Sequence, residues 1–298
     1  VTGPGSSGLG SVLASFGRGA LVQTGAEVLH CGLLGRKLRL VCGDGVSWRW
    51  SAGTDGPVVD GVQPRRNLIE RIDARGRAEP VAANIDRLAV VVAPEPAPDW
   101  FLVDRYFAGA ALCDVAALLV INKDDLPAGS LAAEIETYRA LGVPSLHLST
   151  ANGTGIGALR SFLLGKRSML VGQSGVGKSS IVNALVPEAA AQTAALTRDA
   201  EGRHTTTTAR WYSVDAVTAI IDAPGVRDFA PPAHLMRAAE RGFVEIHGIG
   251  AACRFNDCRH FEEPGCAVRD AVAAERIAAR RYESYRRLAK LYEDLAPR

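Results

Sequence analysis

Gly172-Gln173-Ser174-Gly175-Val176-Gly177-Lys178-Ser179 constrains the fold of this chain more than any other segment. It fits the pattern G-x-x-x-x-G-K-[ST], a loop whose backbone N–H groups cradle phosphates while Lys and Ser reach the terminal phosphates and Mg²⁺. The loop lies between the apolar run Ser168 to Val171 and a helix-forming stretch, Lys178 to Leu185. Further apolar runs at Leu88 to Ala93, Ala116 to Ile121, Ser145 to Leu148 and Ala216 to Ile221 have the continuous character of buried parallel strands. Trp100 to Leu112 and Ser130 to Leu141 between them read as helices. That alternation predicts an α/β fold, an open parallel sheet with right-handed crossovers. Asn122, Gly172 and Asp222 each follow such a run directly, so all three fall at the carboxyl edge of the sheet, where ligands bind.

Asn122-Lys123-Asp124-Asp125 precedes the phosphate loop in the chain. It resembles the N-K-x-D guanine-reading element of GTPases, which ordinarily follows that loop, so the chain resembles a circularly permuted GTPase. Asp125 can accept from both the ring N1–H and the exocyclic amine of guanine, a pair of donors adenine lacks. Asn122 would brace the loop and contact the base, and the Lys123 stem would cover the purine face. A polar turn after a strand is the plain alternative for these four residues. Asp222-Ala223-Pro224-Gly225 fits D-x-x-G: the carboxylate would hold a water on Mg²⁺ and the Gly225 N–H would sense the γ-phosphate. Gly202-Arg203-His204-Thr205-Thr206-Thr207 lies where a switch segment supplies a Thr hydroxyl to Mg²⁺, although Thr runs also form ordinary strand edges. Ser149-Thr150-Ala151 resembles the S-A-K guanine element, with Thr150 where Ala is usual and no following Lys.

At 298 residues and 47% hydrophobic content the chain can bury a substantial core and is long enough for two or three domains. A net charge of +2 and a pI near 8.3 are too mild to declare nucleic-acid binding. No run of about 18 apolar residues is present, so no membrane partner is expected. Val1 to Ser11 is Gly/Ser-rich without the apolar core of a signal peptide, and residues 1–16 read as a flexible tail.

Gly19 to Gln23, Glu27 to Cys31, Lys37 to Val41 and Val46 to Trp50 read as short strands split by Gly-rich turns, a small OB-type barrel over residues 17–80. Arg36, Lys37, Arg39, Arg49, Arg65 and Arg66 make this part basic, as an oligonucleotide-binding barrel would be. Trp48 and Trp50 share one strand face and serve either the core or base stacking. Residues 81–230 form the nucleotide domain. In residues 231–298, Cys253-x4-Cys258-x-His260-x5-Cys266 matches a closed Cys₃His structural zinc site. Disulfides are the alternative, disfavoured for a chain expected in a reducing, cytoplasmic compartment. Cys31, Cys42 and Cys113 lack ligand spacing and read as core residues. Arg269 to Leu295 has helical periodicity, and its arginines fit a solvated face or RNA contact equally.

The three-part layout, the permuted order, Gly172 to Ser180, Gly202 to Thr207, the zinc spacing and the Val81 to Asp86 link together resemble the ribosome small-subunit-dependent GTPase A family. The resemblance runs from about Gly17 to the C-terminus. It implies GTP hydrolysis stimulated by the 30S subunit and its rRNA, a late role in that subunit's maturation, GTP and GDP as ligands, and a monomer. Lys178 and His204 are then the catalytic residues. Val226 stands where many GTPases carry a water-orienting Gln, and the family's suspected substitute maps onto His204. Ser179 with Thr205 or Thr206 would ligate Mg²⁺, while the loop residues through Ser180 line the phosphates. Gly45 replaces an Arg usual in the family, and Ala223 a Thr. Two other functions stay open: a GTP-dependent switch on another structured RNA, and an assembly factor that binds nucleotide without hydrolysing it.

Overall fold

The computed structural model describes the chain except residues 1–4, 18, 26, 36–37, 51–55, 73–76, 130, 189–208, 224–228, 232–234, 236–237 and 296–298. A closed barrel comes first, from β1 (Ser7–Phe16), β2 (Gly19–Thr24), β3 (Glu27–Leu33), β4 (Gly45–Trp50) and β5 (Pro57–Val62), in the order β1-β2-β3-β5-β4. Parallel pairing of β3 with β5 and antiparallel pairing of β1 with β4 close it. The segment expected as a flexible tail is therefore corrected: from Ser7 onward it is a barrel strand. Its small residues are the reason. A Cβ on Gly10 would lie 2.4 Å from Val22 Cγ1 and 2.7 Å from the Gln23 carbonyl, so only glycine lets β1 cross β2 this closely.

Expected strand Lys37 to Val41 is also corrected, because Leu38 to Val41 carry no strand pairing. Leu40 instead joins the barrel core with Val12, Val22, Leu29, Val46, Trp48 and Val59. Alternation along β4 buries Val46 and Trp48 and exposes Arg49, while Trp50 is half-buried. Three of this part's arginines are engaged in place: Arg65 on Asp44, Arg49 on Asp60 and Arg66 on Asp86.

A hairpin of β6 (Leu68–Ile72) and β7 (Ala78–Ala83) leads out of the barrel. The main sheet has β8 (Arg87–Val92), β9 (Ala116–Ile121), β10 (Ser145–His147), β11 (Arg167–Gly172), β12 (Arg210–Ser213) and β13 (Ala219–Asp222), in the order β10-β9-β8-β11-β13-β12. All its pairings are parallel except β12 with β13, an antiparallel edge the apolar pattern does not announce. Helices α1 (Trp100–Leu112), α2 (Leu131–Ala140), α3 (Ile156–Leu163) and α4 (Lys178–Leu185) connect and cover the strands. Buried cores lie on both faces: Leu88, Val90, Leu119, Ile121 and Met169 look one way, Ala89, Val91, Leu118, Val120 and Leu170 the other. That explains the unbroken apolar runs.

Strand β14 (Phe229–Ala230) pairs with Glu70 and Arg71 of β6, so residues on both sides of the division expected at residue 80 share a sheet. Arg105 on α1 donates to the Phe229 carbonyl at 2.6 Å. The C-terminal part holds α5 (Val244–Gly250), α6 (Ala267–Ala273) and α7 (Ala279–Leu295), so the predicted helix over Arg269 to Leu295 is two helices. Asp104 on α1, 1% exposed, accepts from Arg280 and Arg281 of α7, each at 2.6 Å, and from the Tyr138 hydroxyl of α2. Arg281 also pairs with Glu245 of α5 at 2.8 Å. A charge buried this deeply is tolerable only with such partners.

Candidate nucleotide site

Four loops meet at the carboxyl edge of the sheet. Gly172 to Gly177 runs from the end of β11 into the N-terminus of α4, where first-turn backbone N–H groups favour an anion. Val176 is 1% exposed among the apolar residues beneath the loop, whereas Ser174, Gly175, Ser179 and Ser180 are exposed. Lys178 Nζ donates to the carbonyls of Gly172 and Gln173, both at 2.8 Å, so the ammonium is curled over its own loop. The Gln173 side chain accepts from the Asp99 N–H at 3.1 Å, and Asp99 caps α1.

Asn122, fully buried, donates from Nδ2 to the Val176 carbonyl at 2.8 Å and accepts at Oδ1 from the Thr150 N–H at 3.4 Å. One side chain therefore joins the guanine-type loop, the phosphate loop and the Ser149-Thr150 loop. Ser149 donates its hydroxyl to Asp125 and accepts from the N–H groups of Ala151 and Asn152. Lys123, at φ 59°, donates to the Glu95 carbonyl at 2.7 Å. Sequence reasoning did not find Glu95, Asp99 or His147 beside the site; the proline-rich run Pro94 to Pro98 before α1 was the available signal of a fixed loop.

Asp222 ends β13 beside β11, opposite Leu170. Burial lifts its carboxyl above the ordinary carboxylate range, partly opposed by the cations of Lys178 and Arg210. Gly202 to Thr207, with His204, Thr205 and Thr206, lie outside the described residues, as do Gly225 and Val226.

Away from this edge, Cys253, Cys258, His260 and Cys266 bring four ligand atoms within 4.8 Å of one another. His260 Nδ1 is 3.5 Å from both Cys253 Sγ and Cys266 Sγ. The Tyr282 hydroxyl donates to the His260 carbonyl, and the imidazole, buried, has its pKa lowered and so favours the neutral, ligating form. Three sulfurs and one nitrogen packed this closely fit a four-coordinate metal. All six cysteines are free thiols.

Residues 62–231 match the RsgA GTPase family model. The chain belongs to the RsgA GTPase family. A curated relative from Chromohalobacter salexigens, "Small ribosomal subunit biogenesis GTPase RsgA", is 42% identical over 291 residues, covering 94% of this chain and 85% of that protein. The Azotobacter vinelandii protein of the same name is 41% identical over 297 residues, covering 96% and 85%. Among solved structures, YjeQ from Thermotoga maritima superposes with a TM-score of 0.70 at 27% identity, covering 98% of this chain and 100% of that one. YloQ, described as a circularly permuted GTPase, has the same fold at TM-score 0.70 and 22% identity, covering 98% and 97%. Membership in the RsgA GTPase family makes the chain a GTP hydrolase with a circularly permuted nucleotide domain and an OB-type barrel. Among the described residues no helix is long and apolar enough to cross a membrane.

Proposed function

We propose that this chain hydrolyses GTP in response to the small ribosomal subunit and acts late in that subunit's maturation, cycling between bound and released states with GTP and GDP. The observation that carries the reading is the buried Asn122 side chain, which ties a guanine-type loop to a phosphate loop and to the Ser149-Thr150 loop. Family membership supports the partner, since the curated relatives are named for small ribosomal subunit biogenesis.

Asp125 reads the N1–H and exocyclic amine of guanine, and the Thr150 N–H, held only at a long 3.4 Å by Asn122 Oδ1, turns from it toward the base oxygen. The backbone N–H groups of Gly172 to Lys178, with Ser179 and Ser180 at the start of α4, hold the phosphates. Lys178 must leave the Gly172 and Gln173 carbonyls to reach the β and γ oxygens, so nucleotide replaces two loop carbonyls as its acceptors. Ser179 and a threonine, Thr205 or Thr206, would hold Mg²⁺, which neutralises charge developing on the β and γ oxygens. Asp222 orders water on that side, and Gly225 meets the γ-phosphate. His204 orients the attacking water in place of Val226. Unassisted turnover should be slow, about 10⁻⁴ to 10⁻² s⁻¹. The Cys₃His set holds a structural Zn²⁺. The protein acts as a cytoplasmic monomer.

The test is GTP and ATP turnover with and without isolated 30S subunits, with Lys178→Ala to measure contamination. GTP-selective stimulation by 30S beyond that of free RNA supports the proposal. GTP-selective turnover without stimulation keeps the nucleotide site and rejects the ribosomal trigger. Binding without turnover under either condition rejects hydrolysis.

A further inference from the structure

Two adjacent carboxylates stand in the guanine-type loop, and the fold gives them different partners. Asp125 accepts from the Ser149 hydroxyl. Asp124 lies with Oδ1 2.7 Å from His147 Nδ1. An ionised carboxylate only accepts, so the proton of that bond sits on Nδ1. We infer that His147 is a positioning residue for base recognition: it holds Asp124, straps the Asn122 to Asp125 loop to the Ser149-Thr150 loop, and leaves Asp125 as the carboxylate for the base. The inference rests on the reading of Asp125 as the guanine acceptor.

The local backbone shows why a side-chain strap has work to perform here. Strand β10 is three residues long, with His147 in register beside Ile121, the last residue of β9. Two further bonds extend the pairing: the Leu148 N–H donates to the Ile121 carbonyl at 2.8 Å and the Asp124 N–H to the Leu148 carbonyl at 3.1 Å. At Lys123 the chain takes a left-handed φ of 59° and turns out of the ladder direction. Apart from that Asp124 N–H bond, the two loops are joined around the turn by side chains: His147 on Asp124, Ser149 on Asp125, and Asn122 on the Thr150 N–H. Without His147, Asp124 would lose its donor and, next to Asp125, compete for the same donors, the Ser149 hydroxyl and the base N–H groups. Side-chain exposures of 43% for His147 and 42% for Asp124 keep the effect modest, about two- to five-fold in affinity.

The experiment is equilibrium binding of GDP and of IDP to the full chain. Hypoxanthine lacks the exocyclic amine, so IDP makes one of the two contacts available to GDP. His147→Ala should weaken GDP about two- to five-fold and IDP less, shrinking the preference for GDP. His147→Gln, whose amide can still donate to Asp124, should keep the preference. Asp124→Ala combined with His147→Ala should lose no more than the larger single change, as for residues acting through one contact. A general loosening of the fold would weaken both nucleotides equally, so an unchanged ratio in His147→Ala overturns the inference, and so does simple additivity of the two variants. Asp125→Asn separates the two levels. If it abolishes the preference while His147→Ala does not, the strap alone is wrong; if it leaves the preference intact, the base-reading assignment falls and the strap with it.

Discussion

The Asn122 side chain donates to the backbone carbonyl of Val176 at 2.8 Å, across 54 positions of sequence, from a residue with no exposed surface. This bond ties the guanine-type loop to the phosphate loop, two segments whose order along the chain is reversed relative to most GTPases. Permuting the connections leaves the contact available because it depends on strand neighbours, and β8, between β9 and β11, is unbroken by the new chain ends.

Gly177→Ala should disable this alignment. Gly177 has φ 96°, and a Cβ there would lie 2.2 Å from Asn122 Nδ2. Left-handed strain of about 1–2 kcal/mol and loss of a bond worth about 1 kcal/mol predict at least a tenfold fall in GDP affinity, read by calorimetry. Wild-type affinity in this variant would show that the Asn122 contact does not align the loops.

Asp222→Asn should trade activity for stability. Because burial raises the folded-state pKa of this carboxyl, the native chain binds its proton more tightly than the unfolded chain. The ionised group therefore opposes folding as pH rises above the ordinary carboxylate range of about 4. The amide removes that penalty, so the variant should melt higher than wild type at pH 7 and lose the advantage as pH falls to about 4, while GTP turnover is lost. Thermal scans across pH check the sign; a lower melting point at pH 7 contradicts it.

Asp104→Ala should detach the C-terminal helices. It strips Arg280 and Arg281 of their shared acceptor, and Arg281 is 4% exposed. Breaking a buried pair by removing one partner costs about 3–5 kcal/mol. Denaturant unfolding should show a loss of that size, and limited proteolysis should cut ahead of α7 first. Resistance equal to wild type would assign the anchoring to the apolar contacts of Phe243, Tyr285 and Leu288 instead.

Zinc should be stoichiometric with the chain, and Cys266→Ser should abolish it. Cys266 is 3% exposed in the cluster, and Cys258 has its thiol pushed up to about 12 by burial, so in the metal-free protein the Cys258 sulfur is protonated. Metal binding then releases protons and becomes tighter as pH rises. Atomic emission on purified wild type and variant, with chelator titrations at two pH values, decides this; equal zinc in the two proteins would remove Cys266 from the ligand set.

Much of the nucleotide domain was legible because its signals are local. Trp100 to Leu112 and Ala116 to Ile121 have the bounds in the fold that periodicity assigned. Edge strand β12 was not legible: Arg210-Trp211-Tyr212-Ser213 carries a single fully buried residue, too short an alternation to stand out. Helix α3 was likewise passed over, with Leu159 and Leu163 its only buried residues.

By itself the sequence determined which motifs are present and the order in which they come: the phosphate loop, the guanine-type run before it, the Cys₃His spacing, and the alternation that puts motifs at strand ends. Those properties live in windows of a few residues, where spacing and periodicity are sufficient. Tertiary structure alone decided that a Gly/Ser-rich segment closes the barrel as β1, that Phe229 pairs with β6, and that Asp104 gathers arginines 176 and 177 positions away. Small residues become a strand only when neighbours need a close approach, and a buried carboxylate is stable only where distant cations arrive. Neither condition is written near the residue it governs.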